Sequence, residues 1–405
     1  MGSINAFFRK SSISRIKSLF DHNGIELGDG IDWTAETPLE TKKLIKAVGA
    51  QGDAVKNLLA PIIERIEELT TPAGQVAIRS VIDEDDAFFT IASPHDRAIH
   101  LFVEAHDKFL RAEHTLFSEE RRRRPRSYDG FIIDRGIDVR RDAESVETFR
   151  DAIKKLLSAS KVFVDIFDRQ RIGYDDKRFR IVQVSVFHEG IGDDVLEFVN
   201  ADDIGHSVRN PVFEAALIYE PETGVLEVMA NNQEDRRNLA ALMARDILGV
   251  EFKDNKMPYK RIDLNVLRRQ HSFPSDIRDG IESVTVTSLR LMPMDGEDER
   301  LVIECGAKST RNIWQMADNR LKLSNPLLGG WLVTQAKITI RFRPEVSTDI
   351  KSKKTRTRRG KTVGIVLTMP HGNSLKDLTS EEQLIGEKYL RLWGLIVDEQ
   401  LAYAA

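Results

Sequence analysis

Glu304 lies in the segment of the sequence that comes nearest to a catalytic pattern. One common metal-dependent nuclease arrangement places an Asp before a strand that carries Glu-x-Lys, because alternation along the strand then directs the Glu and the Lys at one metal ion and phosphate. Asp295 or Asp298 would be that Asp, but glycine stands at position 306, where the lysine is required. Lys308 is about 13 Å from Glu304 along a strand that rises ~3.3 Å per residue. A nuclease centred on Glu304 is therefore only our third hypothesis.

Four of the nine histidines fall between residues 95 and 114, where the pattern predicts a helix. One stripe of that helix carries side chains of metal-binding types: His100, Glu104, Asp107 and His114. Arg111 belongs to the same stripe, and the opposite face supplies the apolar contact, so we interpret the stripe as a solvated face without a metal. His106 and Glu113 border the apolar face, where we expect a buried hydrogen bond between them.

The motifs of nucleotide-binding and hydrolytic enzymes are absent from the sequence. It contains no Gly-x-x-x-x-Gly-Lys-Ser/Thr loop, no Gly-x-Gly-x-x-Gly turn and no Gly-x-Ser-x-Gly elbow. The single cysteine, Cys305, lies among apolar residues of a predicted strand and is expected to be an inert buried thiol. The acidic run at 83–86 is expected to be a solvated loop. We therefore expect no cofactor and favour a protein that is not an enzyme.

Positive charge is concentrated in two short stretches, which we name the first and second basic segments. The first comprises Arg121, Arg122, Arg123, Arg124 and Arg126. The second holds seven cations and no acid: Lys351, Lys353, Lys354, Arg356, Arg358, Arg359 and Lys361. The net charge of the chain is −4, so it would be −16 without these twelve cations. An acidic body suppresses indiscriminate adhesion to polyanions, whereas a focused basic cluster still contacts one.

The chemistry that suits these segments is the binding of phosphate groups. The second basic segment interleaves long cationic side chains with Ser and Thr, whose hydroxyl groups add hydrogen bonds to a nucleic-acid backbone. It contains no aromatic residue, so base stacking on it is not implied. Trp331, Arg341 and Arg343 are candidate neighbours on the strand that precedes it. A solvated loop, or a loop that binds an acidic protein surface, accounts for the same charges equally well.

Composition places the chain among globular proteins and excludes several classes. Its 405 residues are enough for two or three domains. No apolar run reaches the ~18–20 residues that cross a bilayer. Residues 1–17 lack the apolar core and cleavage site of a secretory signal, and Ala6 replaces the Ser or Thr of a myristoylation motif. We expect a cytoplasmic protein without membrane contact.

The first quarter of the chain has the pattern of packed helices. Thr37, with Glu40 three residues later, has the form of a capping box at the start of a helix. A second helix is predicted over 53–69, and residues 71–74 are expected to end it. One longer helix is predicted over 96–123. On that helix we expect three buried side chains (Phe102, Phe109 and Leu116) and three exposed ones (His100, Asp107 and Arg111).

From about residue 145 the period changes to that of strands separated by turns and helices. A strand–turn–strand–helix order is predicted three times, with little sequence identity between the copies, over 213–248, 284–321 and 331–397. This order predicts an α+β fold, in which a helical N-terminal domain precedes a larger antiparallel, hairpin-rich body with interposed helices. The predicted domains are 1–126, 127–257 and 258–405. Each hairpin would leave one face of its sheet to helices and the other to solvent or a partner.

The leading hypothesis is a non-enzymatic, intracellular subunit that contacts the phosphate backbone of DNA or RNA through both basic segments, independently of sequence. Such a subunit would work with other proteins in a complex for DNA processing or antiviral defence. The second hypothesis is a scaffold whose basic segments bind an acidic protein partner, and the third is the irregular nuclease around Glu304. Salt-dependent binding to unrelated nucleic acids separates the first two, and metal-dependent cleavage that is lost in Glu304→Ala would favour the third.

Overall fold

The computed structural model shows two compact units, one formed by residues up to 172 together with 178–257, the other by residues from 261 onward. It describes residues 4–28, 30–82, 87–122, 124–172, 178–200, 203–257, 261–295, 297, 299–306, 309–344, 346–348, 355–357, 360–370, 372–375 and 378–397. Helices precede antiparallel sheets along the chain, so the fold is α+β, as predicted. Residues 126 and 127 both lie in the first unit, and the separate folding of 1–126 stays a prediction.

Helices make up the first half of the first unit. They are α1 (Ile4–Lys10), α2 (Ile13–His22), α3 (Pro38–Ala50), α4 (Asp53–Thr70), α5 (Pro72–Val81), α6 (Pro94–Glu104) and α7 (His106–Arg122). Their apolar faces meet in one core, which includes Phe7 and Phe20 near the N-terminus and Leu59 and Ile66 of α4. Within the described residues, no helix is both long and apolar enough to cross a bilayer.

Three of these helices begin with a hydroxyl N-cap that is followed by proline. The side chains of Thr37, Thr71 and Ser93 each accept a hydrogen bond from the backbone N–H three positions later. Proline then occupies the first helical position, where its fixed φ suits the helix and its missing N–H costs nothing. The predicted start at Thr37 is confirmed. Residues 71–74 end α4 as expected, but they also begin α5, which the sequence pattern did not indicate.

The long helix predicted over 96–123 is two helices. Ala105 has φ −144° and ψ 63°, outside the helical region, and separates α6 from α7. Residue type does not mark this break, since alanine is the best helix former. The buried side chains are as predicted, because Phe102, Phe109 and Leu116 all lie in the core.

The second half of the first unit is a sheet with helices on both faces. Its elements are β1 (Tyr128–Ile132), α8 (Ala143–Leu157), β2 (Val162–Ile172), β3 (Arg178–Glu189), β4 (Asp193–Asn200), β5 (Asp203–Arg209), β6 (Val212–Glu220), β7 (Val225–Met229) and α9 (Gln233–Leu242), which continues as a π-helical turn, Met243–Leu248. Five strands form an antiparallel sheet in the order β1-β7-β6-β3-β2. Phe149 of α8 and Leu239 of α9 pack on one face, and Phe117 of α7 packs on the other. The expectation of one open face is therefore wrong for this sheet.

The second unit is built on another antiparallel sheet. Its elements are β8 (Arg261–Ile262), β9 (Ile281–Pro293), β10 (Leu301–Glu304), α10 (Ile313–Leu321), β11 (Trp331–Phe342), β12 (Val346–Thr348), β13 (Thr355–Thr357), β14 (Thr362–Thr368), β15 (Gly372–Asn373), α11 (Ser380–Leu392) and β16 (Ile396–Val397). The strand order is β10-β9-β11-β14-β15. Trp314 of α10 and Tyr389 of α11 belong to the core beneath it. Thr379 and Glu382 form a capping box at the start of α11.

In both units the central pair of strands continues into a two-stranded ribbon. β3 and β6 lead into β4 and β5, which pair with each other and with no further strand in the described part of the chain; we name them the first ribbon. β11 and β14 lead into β12 and β13, which pair in the same way and form the second ribbon. The strand–strand–helix order predicted from sequence is present as β6-β7-α9, β9-β10-α10 and β11-β14-α11, with the ribbon strands inserted in the last.

Candidate nucleic-acid interface

The first basic segment begins on the last turn of α7, where two of its arginines contact the first unit. The Arg121 guanidinium lies over the Phe117 ring, 5.1 Å from its centroid, and donates a hydrogen bond to Oδ1 of Asn231. Nε of Arg122 donates to Oε1 of Glu227 at 2.7 Å. These two side chains therefore attach the end of α7 to the sheet and to the residues before α9.

The remainder of the first basic segment is a turn that leads into β1. Arg124 and Arg126 are exposed. Their backbone is fixed, because the carbonyl of Arg124 accepts from Ser127 N–H at 2.9 Å and that of Arg126 accepts from Arg236 at 2.9 Å. Arg123 lies outside the described residues. Among the described arginines of this segment, Arg124 and Arg126 are thus exposed without a side-chain ion pair in the fold, whereas Arg122 is exposed but paired with Glu227.

Arg122 lies at the exposed edge of an ion-pair network between α7 and the sheet, in which Glu227 and Arg169 are buried. Glu227 of β7 pairs with Arg122 at 2.7 Å and with Arg171 of β2 at 2.8 Å. Glu119 of α7 pairs with Arg169 at 2.7 Å and with Arg171 at 3.0 Å. Two-residue alternation places Arg169 and Arg171 on the same face of β2. The network therefore joins one helix and two non-adjacent strands by charge.

The opposite charges of this network keep its members ionised. Burial raises the pKa of Glu227, but Arg122 and Arg171 outweigh it and hold the pKa at about 2. Burial also opposes the ionisation of Glu119, whose pKa nevertheless lies well below its ordinary value because Arg171 and Arg169 are adjacent. Burial lowers the pKa of Arg169 to about 10, although Glu119 acts in the opposite direction. All are charged at neutral pH, so a phosphate would have to compete with Glu227 for Arg122.

Residues 355–357 of the second basic segment form β13 of the second ribbon. Val346 is paired with Thr357 and Thr348 with Thr355, so the hairpin of β11 and β14 continues into this segment. At the base of the ribbon the N–H of Phe342 donates to the carbonyl of Lys361 at 2.8 Å. A Cβ on Gly360 would lie 2.1 Å from the Phe342 carbonyl oxygen, so only glycine fits where the strands come together.

Two cations of this segment are described. Arg356 is in β13, directly across from Ser347. Lys361 is exposed, and its Nζ pairs with Oε1 of Glu382 at 2.5 Å. The other five cations of the segment lie outside the described residues: Lys351, Lys353, Lys354, Arg358 and Arg359. Their contact with phosphate stays a prediction.

The three candidate neighbours are not all near the second ribbon. Arg343 follows β11 and is exposed, and Nε of Arg341 lies 3.4 Å from a carboxylate oxygen of Glu282. Trp331 is at the opposite end of β11, paired with Pro293. At ~3.3 Å per residue it is about 36 Å from the end of the strand that leads to the ribbon. The expectation that Trp331 adjoins the basic segment is therefore wrong.

The surroundings of Glu304 do not form a metal site within the described residues. Glu304 ends β10, is exposed and is paired with Ser288. Asp295 is exposed, whereas Asp298 and Lys308 lie outside the described residues. Among the residues that are described, no three His, Cys, Asp or Glu side chains are grouped closely enough to hold a metal ion. The geometry seen around Glu304 thus adds no support to the nuclease hypothesis.

The polar stripe of α6 and α7 is only partly solvated. Glu104 and Asp107 are exposed, whereas His100, Arg111 and His114 are half-buried. Nε of Arg111 lies 3.5 Å from an Asp165 carboxylate oxygen on β2. The ring of His114 is 4.8 Å from that of Phe187, and burial lowers the pKa of His114. The sheet covers Arg111 and His114 on this side of α7, whereas His100 of α6 contacts Arg15 and the Phe88 ring. The interpretation as a solvated face, and the exposure predicted for His100 and Arg111, are therefore wrong.

The predicted hydrogen bond between His106 and Glu113 is also wrong. Glu113 instead accepts two hydrogen bonds from Arg65 of α4, at 2.6 and 2.8 Å. Nδ1 of His106 lies 3.1 Å from the carbonyl oxygen of Phe102. A bidentate guanidinium–carboxylate pair combines two charge-assisted hydrogen bonds, which explains the preference of Glu113 for Arg65.

No protein-family model matches this chain, and no curated protein is significantly similar to it. The functional interpretation therefore depends on the charge and geometry of the chain itself. A cavity of about 140 Å³ at one end of the first sheet is lined in part by Leu157, His188, Phe213, Asn231 and Asp235. Sites for drug-sized ligands and cofactors usually measure ~300–1,000 Å³, so this cavity does not favour a nucleotide-sized ligand.

Glu214 of β6 is an unusual carboxyl that the sequence reading did not single out. It is half-buried, and its Oε1 has no hydrogen-bond partner among the described residues. Burial, reinforced by the nearby carboxylate of Glu113, raises the pKa of Glu214 to about 8, and Arg121 offsets part of this increase. An acidic residue within the apolar strand Val212–Glu220 was the available signal.

Proposed function

We propose that the chain binds nucleic acid through the phosphate backbone, independently of base sequence. The second basic segment is the main contact, and Arg124 and Arg126 of the first contribute. The observation that carries this proposal is the concentration of seven cations within the eleven residues 351–361 of the sequence, of which 355–357 form a strand of the second ribbon. A two-stranded ribbon of this kind fits against a nucleic-acid backbone or into a groove.

The composition of the segment supports contact with phosphate rather than with bases. Residues 351–361 contain Ser, Thr, Lys, Arg and Gly and no aromatic side chain. Cations and hydroxyl groups bind phosphate oxygens, while base stacking requires rings. The remainder of the chain carries excess negative charge, which limits contact to the basic segments.

In the same proposal the chain is a non-catalytic, cytoplasmic subunit that acts with other proteins, in DNA processing or in defence against foreign DNA. Arg121 and Arg122 have a structural role in this proposal. Their contacts with Asn231 and Glu227 stabilise the first unit, so they orient the exposed part of the first basic segment instead of binding phosphate themselves.

The test compares two variants that lose the same charge. In the segment variant, five cations of the second basic segment become Gln: Lys353, Lys354, Arg356, Arg358 and Arg359. In the control variant, five exposed cations elsewhere become Gln: Lys42, Lys46, Lys253, Arg311 and Arg320. Fluorescence anisotropy with two unrelated DNA duplexes and one RNA should show equal weakening on every ligand for the segment variant and near-parental binding for the control, because only the former removes phosphate contacts.

Two other outcomes would replace the proposal. If the parent protein has no measurable affinity for any of the three ligands at moderate salt, the scaffold hypothesis, with an acidic protein partner, takes its place. If the parent cleaves DNA in the presence of Mg²⁺ or Mn²⁺ and Glu304→Ala does not, the nuclease hypothesis takes its place.

A further inference from the structure

The first ribbon extends from the sheet of the first unit without support from other strands. β4 and β5 pair with each other over residues 193–209, and they pair with no other strand among the described residues. A strand of eight residues spans about 26 Å at ~3.3 Å per residue. Two strands alone are at best marginally stable in water, so the part of this ribbon that extends beyond the sheet would gain stability from a further contact.

One face of the first ribbon is apolar and exposed. The register pairs Leu196 with His206, Phe198 with Ile204, and Asp194 with Val208, so all six side chains share one face. The four apolar ones expose between 54% and 78% of their surface. At roughly 150 Å² for a fully exposed side chain of this size, they present about 400 Å² of apolar surface. Patches of this size on a protein surface commonly mark an interaction site.

Two carboxylates of the ribbon, those of Asp194 and Glu197, already have partners within it. Arg209 forms an ion pair with Glu197 and lies directly across from Asp193. Nδ1 of His206 lies 2.9 Å from the carboxylate of Asp194. A partner therefore needs no special charge to cover the apolar face, and the surplus of acidic residues disfavours nucleic acid as that partner.

We propose that this face is the contact between two copies of the chain. In this dimer a two-fold axis would pass through the middle of the apolar face, beside Leu196. The end of each ribbon that carries Phe198 and Ile204 would then lie against the end of the other ribbon that carries Val208. Such isologous dimers are the commonest protein oligomers. A standard interface buries about 800 Å² per partner, of which ~57–65% is apolar, so the four side chains supply most of the apolar area that a stable dimer needs.

The first experiment measures the oligomeric state of the full-length chain. Sedimentation equilibrium over a concentration series should show a reversible monomer–dimer equilibrium. In the double variant Phe198→Asp with Val208→Asp, the dimer dissociation constant should rise at least about a hundredfold, because each carboxylate would be buried without a partner. The matched control, Ile277→Asp with Leu323→Asp, changes two exposed apolar residues of the second unit and should leave the equilibrium unchanged.

A second experiment locates the axis. In a Cys305→Ala background, which removes the single native thiol, Leu196→Cys should form a disulfide-linked dimer on copper–phenanthroline oxidation. Leu323→Cys, which is exposed but distant in sequence, should not. A disulfide requires Cα atoms within about 7 Å of each other, and a residue beside a two-fold axis meets that condition with its own copy.

Three results would overturn the proposal. The chain could be monomeric at every concentration, or its dimer could be insensitive to the two Asp substitutions. Alternatively, association could weaken as salt increases and disappear when the second basic segment is neutralised, which would indicate a contact between charges. An apolar contact instead persists at high salt. Thermal unfolding of each variant shows that a change in oligomeric state is not a loss of fold.

Discussion

Buried charged residues of the first unit differ in whether they have a partner. Glu227 lies between Arg122 and Arg171, which hold its pKa at about 2, so its ionised form stabilises the fold. Glu214, by contrast, is near Glu113, and its pKa is raised to about 8. As the pH rises and each carboxyl ionises, Glu227 therefore adds to the stability of the fold, whereas Glu214 on the neighbouring strand reduces it.

We expect Glu214→Gln to increase the free energy of unfolding above pH 8 and to change it little near pH 4. The carboxyl has a pKa of about 8 in the fold against 4.5 as its ordinary value, so the fold binds its proton more tightly. Its contribution to stability is therefore present below pH 4.5 and is lost as the pH rises through 8, whereas Gln stays neutral. Because Glu214 is part-exposed, the gain should be about 1–2 kcal/mol.

Urea unfolding of the parent and of Glu214→Gln at both pH values measures this effect. Glu222→Gln, an exposed carboxyl in the turn between β6 and β7, is the matched control and should give equal stability changes at both. An equal stability change for Glu214→Gln at the two pH values would contradict the explanation.

Among the elements, those with strong local signals were predictable. The start of α3 follows from Thr37 and Pro38, and β11 begins at Trp331, where the third predicted strand–turn–strand–helix copy begins. The break at Ala105 and the strand β5 were not predicted. Alanine favours a helix, and the sequence of β5 contains glycine and aspartate, which are poor strand formers, so tertiary contacts decide both.

The candidate interface was predictable from local sequence only in part. Both basic segments are visible in the sequence because their residues are contiguous. The partners of Arg122 were not, since Glu227 is 105 positions away and β2 contributes Arg171. The order of residues along the chain gives no information on contacts between such distant positions. For the same reason, one buried face was predicted for α7, although the sheet also covers the opposite face.

At the scale of elements, we expect the ion-pair network to connect α7 to the sheet. Glu227→Gln keeps the shape of the side chain but leaves Arg122 and Arg171 without their counter-charge. The free energy of unfolding should fall by about 2–4 kcal/mol at pH 7. Since the pKa of Glu227 is depressed, its contribution is present above pH 4.5 and is lost as the pH falls toward 2, so parent and variant should converge in acid.

Denaturant unfolding at pH 7 and in acid measures both parts of this prediction. Glu222→Gln again serves as the control and should cost less than about 0.5 kcal/mol. If the free energy of unfolding falls by less than about 1 kcal/mol for Glu227→Gln at pH 7, the network does not stabilise the packing of α7 on the sheet.

At the scale of the whole molecule, each unit extends its central hairpin into a ribbon, and the two ribbons differ in chemistry. The first has an apolar face, beside which Asp194 and Glu197 are paired within the ribbon, and the sequence around the second contains the seven cations of residues 351–361. We assign the first to self-association and the second to nucleic acid. The two assignments are independent, because neutralising the second basic segment should leave the dimer intact. A dimer presents the segment twice, which favours binding to long nucleic acids through effective concentration.

The most direct test of the central claim is the salt dependence of binding to duplex DNA. Each phosphate contact releases condensed counterions and contributes about −0.9 to the slope of log K against log salt concentration. With three or four contacts from the second basic segment, the segment variant (Lys353, Lys354, Arg356, Arg358 and Arg359 to Gln) should bind more weakly, with a slope flatter by roughly three. If the variant binds as tightly as the parent with the same slope, the second basic segment is not the contact and the proposed function is wrong.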